Sequence, residues 1–289
     1  NTAVVVEVNS ETDFVAKNAI FQEFVQAVAD KALTVDTEKA GDGEDVVSIL
    51  DMKADLDDKI LKLGEKISIR RFEKVTADVV ASYIHGGGRI GVLVAGNGAS
   101  DDAAKEALTN IAMQIAAMNP QYISRDEISA DELAKMKEIT IDSALNDPFS
   151  LPKPVLSKLI EKAVASVWSA EDVAIYEEKK SNMNFLPNFL SKEAKAQLAE
   201  IACADKEEIS GNKIFSGLVE GRISKQMKEI CLLDQVYVKA EDGKQTVAAY
   251  LKSVNPALKI AKFVRFEVGE GMEKKNEDFA AEVAKQMNV

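Results

Sequence analysis

His85 is the only histidine among 289 residues, so any acid–base chemistry built on imidazole would depend on it. Gly86, Gly87, Gly88 and Arg89 follow at once, and glycines beside a cation can cradle phosphate through backbone N–H groups. A phosphate loop, however, ends in Gly-Lys-Ser/Thr and opens a helix, whereas this run leads into the apolar stretch Ile90 to Ala95, which reads as a strand. A hairpin turn is the expected structure. Neither a nearby cysteine nor a Gly-x-Ser-x-Gly elbow gives His85 a nucleophile to activate, so catalysis by it is not expected. The many Asp and Glu residues supply carboxylates without a diagnostic spacing. An enzyme using carboxylates in a cleft is therefore one alternative function, and a scaffold whose long helical stretch recruits another protein is a second.

Two further residues attract attention by position. Asp13 and Phe14 stand where a strand turns into a helix. By residue type alone, Phe14 is expected in the core, covering the helix start, and Asp13 is expected to be a first-turn acid favoured by the helix dipole.

Cys203 and Cys231 lack Cys-x-x-Cys spacing and are too few for a disulfide framework or the usual zinc site. They fit a reducing compartment, a cytosol or an organellar matrix. The net charge of −12 repels phosphate, so direct nucleic-acid binding is not expected. Simple solubility explains the same acidity. Apolar runs such as Ile90 to Ala95 are too short to span a bilayer. Asn1 in place of Met, with an apolar run starting within three residues, is what a piece of a longer protein would show.

The elements that must carry these residues follow from periodicity. Val4 to Val8 is a short β-branched strand candidate ending at the polar cluster Asn9 to Thr12. From a cap at Asn18, Ile20, Phe21, Phe24, Val28 and Ala32 fall three to four apart and predict an amphipathic helix. An acidic loop spans Asp36 to Asp45; Val46 to Leu63 has helical spacing, and Lys66 to Phe72 reads as a strand. Val79 to Ile84 and Ile90 to Ala95 form a hairpin, followed by a helix over Ala103 to Met118. Leu258 to Phe266 is a late strand whose basic and aromatic finish resembles that of Lys66 to Phe72, which suggests a degenerate duplication.

Ser129 to Ile230 is almost wholly helical in pattern. Ser129 and Glu132 make a capping box ahead of Leu133, Met136, Ile139 and Ile141. Leu156, Leu159, Ile160, Ala163, Val164 and Val167 form a further stripe, and Ser169 and Ser191 look like caps. Trp168 and Met183 to Phe189 read as packing within this region, and Glu177 to Lys180 as a solvated face. Helices spliced between strands of one sheet should protrude as a hairpin or small bundle. The expected fold is α+β: two related small antiparallel-sheet and helix subdomains with a helical insertion and a C-terminal helix. The expected bounds are 1–78, then 79–128 with 231–270, the insertion at 129–230, and the terminal helix at 271–289.

Four motifs in one order carry a family resemblance. Glu7 to Asn18 (EVNSETDFVAKN), Ser82 to Val94 (SYIHGGGRIGVLV), Val219 to Arg222 (VEGR) and Phe263 to Ala284 resemble segments of the elongation factor Ts family. The likeness lacks that family's N-terminal helical domain, and the stretch between Asp147 and Phe215 is longer than in better-known members. The resemblance implies a guanine nucleotide exchange factor with no bond chemistry and no cofactor. Its partner would be elongation factor Tu, GDP-bound or nucleotide-free, and a homodimer is left open. It further implies that Thr12, Asp13, Phe14 and Val15 meet the partner, with Phe14 wedged near its magnesium and phosphate site. Arg89, Ile90 and Gly91 of the hairpin join them, as does Gln114, which stands where the family often has His.

Overall fold

The computed structural model describes residues 1–41 and 43–272, so most of the expected helix at 271–289 lies outside the described residues. It divides into two compact units: Asn1–Asn119 with the described residues from Tyr237 on, and Pro120–Val236.

The first unit begins with β1 (Thr2–Asn9), α1 (Asp13–Ala16), α2 (Ala19–Thr34), β2 (Lys39–Ala40), α3 (Val46–Ile49), α4 (Lys53–Leu63) and β3 (Ser68–Thr76). The sheet is antiparallel in the order β1-β3-β2. Alternation along β1 sorts its side chains. Val4, Val6 and Val8 pack with Phe21, Phe24 and Val28 of α2 on one face, while Val5 and Glu7 point to the other. The helical spacing over Val46 to Leu63 breaks into α3 and α4, because Asp51 takes a left-handed backbone (φ 51°) that no α-helix continues through. The strand expected at Lys66 to Phe72 starts later and runs on to Thr76.

A second antiparallel sheet follows. The β4 strand (Val79–His85), β5 (Ile90–Asn97) and, far downstream, β6 are ordered β4-β5-β6, with β6 spanning Lys259–Glu267. Gly86, Gly87 and Gly88 all have positive φ and form the hairpin tip. Between β5 and β6 this unit adds α5 (Asp102–Met118), whose buried face includes Leu108, Ile111 and Ile115. Val5 and Val75 of the first sheet pack with Leu93, Ala95 and Val264 of the second. The two basic and aromatic runs sit differently: β3 is central and β6 is an edge strand, so their likeness does not extend to their places in the sheets.

The second unit is helical: α6 (Ala130–Asn146), α7 (Lys153–Ser166), α8 (Ala170–Lys179), α9 (Lys192–Ala204), α10 (Lys206–Ser210) and α11 (Lys213–Ile230). Its two ends are tied where Gln121 and Tyr122 N–H both donate to the Ile230 carbonyl, at 2.8 and 3.1 Å. The Ser129–Glu132 capping box is present, and Ser169 and Ser191 cap α8 and α9. Trp168 lies in the core and donates Nε1–H to the Ala194 carbonyl at 3.0 Å. The expected α6 stripe is not the buried one. Leu133 and Ile139 are exposed, Met136 and Ile141 are half-buried with Ile141 packed on the core, and full burial is reached only at Ala144 and Leu145 near the helix end, which join Leu198 and Ala202. The chain returns to the first unit through α12 (Val247–Val254) before β6.

Candidate interaction site

The site grows from the turn after β1. Thr12 is the N-cap of α1: its Oγ1 accepts from Val15 N–H at 3.3 Å and donates to Glu65 Oε1 at 2.5 Å. Thr12 N–H donates to Glu65 Oε2 at 3.0 Å. Glu11 Oε2 accepts from Lys66 N–H at 3.2 Å. Val15 is buried among α2 and the first sheet, and Asn18 Oδ1 accepts from Ile20 N–H at 2.9 Å to start α2. Both ends of the α1 turn are therefore fixed.

Phe14 points away from this framework and is 89% exposed. The expectation of a core aromatic fails here for a geometric reason. A four-residue helix shows only one side to the body, and Val15 occupies it. Asp13 does stand in the first turn, as expected of a helix-start acid. Its Oδ2 lies 3.5 Å from Arg89 Nη2, with both side chains largely exposed. The hairpin tip of the second sheet is thus brought beside α1.

Arg89 is followed by Ile90, half-buried, and Gly91, which is buried. A Cβ at Gly91 would stand 2.9 Å from Val5 Cγ2, so the close approach of the two sheets requires glycine there. Ile84, paired across from Gly91, is 62% exposed and adds an apolar side chain to the hairpin. His85 is exposed and contacts Tyr83 OH through Nδ1 at 3.1 Å.

Gln114 is not at the surface. It is fully buried in α5, and its Oε1 accepts from Val238 N–H at 2.7 Å.

Beneath the turn lies a carboxylate with no apolar excuse for its position. Glu7 is 3% exposed. The register slips between Glu7 and Val8, which face Arg71 and Ile69, and both Arg70 and Arg71 reach the one carboxylate. Arg70 Nη1 lies at 3.0 and 3.1 Å from its two oxygens, and Arg71 Nε at 2.6 Å. Arg71 also covers the Phe266 ring at 4.1 Å. Burial pushes the Glu7 carboxyl up, but hydrogen bonds from Gly269 N–H, Arg70, Arg71 and Asn9 outweigh it and hold it below the ordinary value.

Sequence reasoning did not single out Glu7, Glu65 or Ile84. The signal for Glu7 was available, since a lone charge on the inward register of a valine run needs buried partners. Glu65 and Ile84 carried none, being ordinary residue types in ordinary places. Among the described residues, no group of His, Cys, Asp or Glu is arranged to hold a metal ion. No described helix is long and apolar enough to cross a membrane.

A family model described as elongation factor TS matches residues 11–270. The chain is similar to elongation factor Ts of Clostridioides difficile (strain 630), 38% identical over 291 residues that cover 99% of this chain and 76% of that protein. It is also similar to elongation factor Ts of Clostridium novyi (strain NT), 35% identical over 302 residues covering 99% and 77%.

Proposed function

Because this chain belongs to the elongation factor Ts family, we propose that it is the guanine nucleotide exchange factor for elongation factor Tu in translation elongation. It works by binding, without bond chemistry. Thr12, Asp13 and Phe14 enter the GTPase near its magnesium and phosphate site, and the Arg89–Ile90–Gly91 hairpin docks beside them. Val15 and Gly91 act from beneath, by fixing the surfaces that Phe14 and Arg89 present. Gln114 acts through Val238 in the same indirect way.

The exposure of Phe14 is the observation that carries this reading. A ring left 89% in water on a turn anchored at both ends gains by entering another molecule. Its burial contributes roughly 1.5–3 kcal/mol. A nucleotide held at nanomolar strength is stabilised by about 12 kcal/mol, and each tenfold gain in release takes about 1.4 kcal/mol off the barrier. Several contacts must therefore act together, which is what the neighbouring hairpin supplies. Linkage makes the effect mutual: whatever weakens GDP is weakened by GDP to the same degree, so the complex holding both is transient.

The test is release of a fluorescent GDP analogue from elongation factor Tu, with this chain at substoichiometric amounts. Acceleration is expected from the native chain and its loss from Phe14→Ala. An enzyme or a passive scaffold would leave release unchanged, and undiminished acceleration by Phe14→Ala would remove the ring from the mechanism.

A further inference from the structure

Phe14 contributes nothing to its own placement. Its ring is exposed, and α1 has only four residues. One helical turn does not persist in water unaided, because nucleation fixes several dihedral angles for a single hydrogen bond. Tertiary contacts must hold it.

Val15 provides one anchor, and the other is Thr12, which caps the turn. Thr12 is itself gripped by a single carboxylate. One Glu65 oxygen accepts its N–H at 3.0 Å and the other its O–H at 2.5 Å. Such two-point, charge-assisted bonding is directional and restrains both backbone and side chain. The grip is reciprocated, since Glu11 accepts the Lys66 N–H at 3.2 Å. Two segments distant in sequence thus exchange carboxylate-to-backbone bonds. The Glu65 side of the exchange stands on fixed ground. Gly64 closes α4 through its N–H to the Ile60 carbonyl, and Ile67 is buried just before β3.

We propose that Glu65 is a positioning residue for nucleotide exchange: its carboxylate latches Thr12, and so α1, in the conformation that presents Phe14 to the GTPase. This rests on the reading that Phe14 enters the partner. With the turn ordered in the free protein, its conformational entropy is lost on folding and not on docking.

A mutant cycle of Glu65→Ala and Phe14→Ala tests this, read as the maximal release rate of a fluorescent GDP analogue from elongation factor Tu. Glu65→Ala is expected to slow release about tenfold when Phe14 is present and by less than about twofold when it is absent. Amide hydrogen exchange at residues 14–17 should quicken while α2 keeps its protection, which a general loss of stability would not produce. Glu65→Gln, which keeps the shape and one acceptor, should fall between, and it replaces the alanine variant in the cycle if that variant does not fold. Undiminished release by the Glu65 variants, or equal slowing with and without Phe14, overturns the latch. Native-rate release by Phe14→Ala alone instead overturns the parent reading, in a comparison that does not involve Glu65.

Discussion

The Gly269 N–H donates to Glu7 Oε1 at 3.0 Å, tying the turn after β6 to the last part of β1. The same carboxylate engages Arg70 and Arg71, and Arg71 reaches on to the Glu267 carbonyl at 3.3 Å. One buried charge therefore joins the first sheet to the end of the second sheet's last strand.

Replacing Glu7 by Ala takes the shared buried carboxylate away from two largely buried guanidiniums, and loss of one partner in such a cluster typically costs about 3–5 kcal/mol. The Glu7 carboxyl is held below its ordinary value of 4.5 in the fold. Its contribution to stability is thus fully present above that value and is lost as pH falls through the lower, folded one. Thermal melting from pH 7 down to pH 3 should show Tm falling in the native chain. Glu7→Gln should start lower and fall less steeply.

Phe14 and Val15 are neighbours with opposite roles. Phe14→Ala should leave stability within about 0.5 kcal/mol of native, since the ring touches little of its own chain. Val15→Ala removes a buried side chain and should lower stability by up to roughly 1.5–3 kcal/mol. Urea unfolding of both variants checks the contrast.

Gly91→Ala places a methyl group 2.9 Å from Val5 Cγ2, so the Val5 side chain or its strand must give way. A loss of roughly 1–3 kcal/mol is expected, measured by denaturant unfolding. Gly87→Ala meets no atom within 4 Å but suffers at φ 66°, so its cost is confined to the exposed hairpin tip.

Gln114→Leu puts an apolar group in place of a fully buried amide and removes the acceptor of Val238 N–H. The loss expected is about 1–3 kcal/mol. Hydrogen exchange should report it locally, as faster exchange of the Val238 amide.

Much of the framework was legible because it rests on local rules. The Asn18 cap, the Ser129–Glu132 box and the glycine hairpin are short-range hydrogen-bond or backbone requirements written in consecutive residues. The α2 stripe was legible for a similar reason, since its spacing matches the helical repeat. The α6 stripe shows the limit of that reasoning. Leu133 and Ile139 have the spacing of a buried face, but periodicity marks which residues share a side and not whether anything packs on it.

The sequence by itself determined the class of fold, five of the six strands, the longer helices of the first unit, and the ordered motifs on which the family resemblance stands; it did not show β2, the break between α3 and α4, or α12. Only the tertiary structure decided that Phe14 faces water, that Gln114 does not, and that Glu65 grips Thr12. Periodicity is set by backbone geometry within a few residues. Exposure and long-range pairing depend on which distant segments fold against a given side chain, and no local spacing records that.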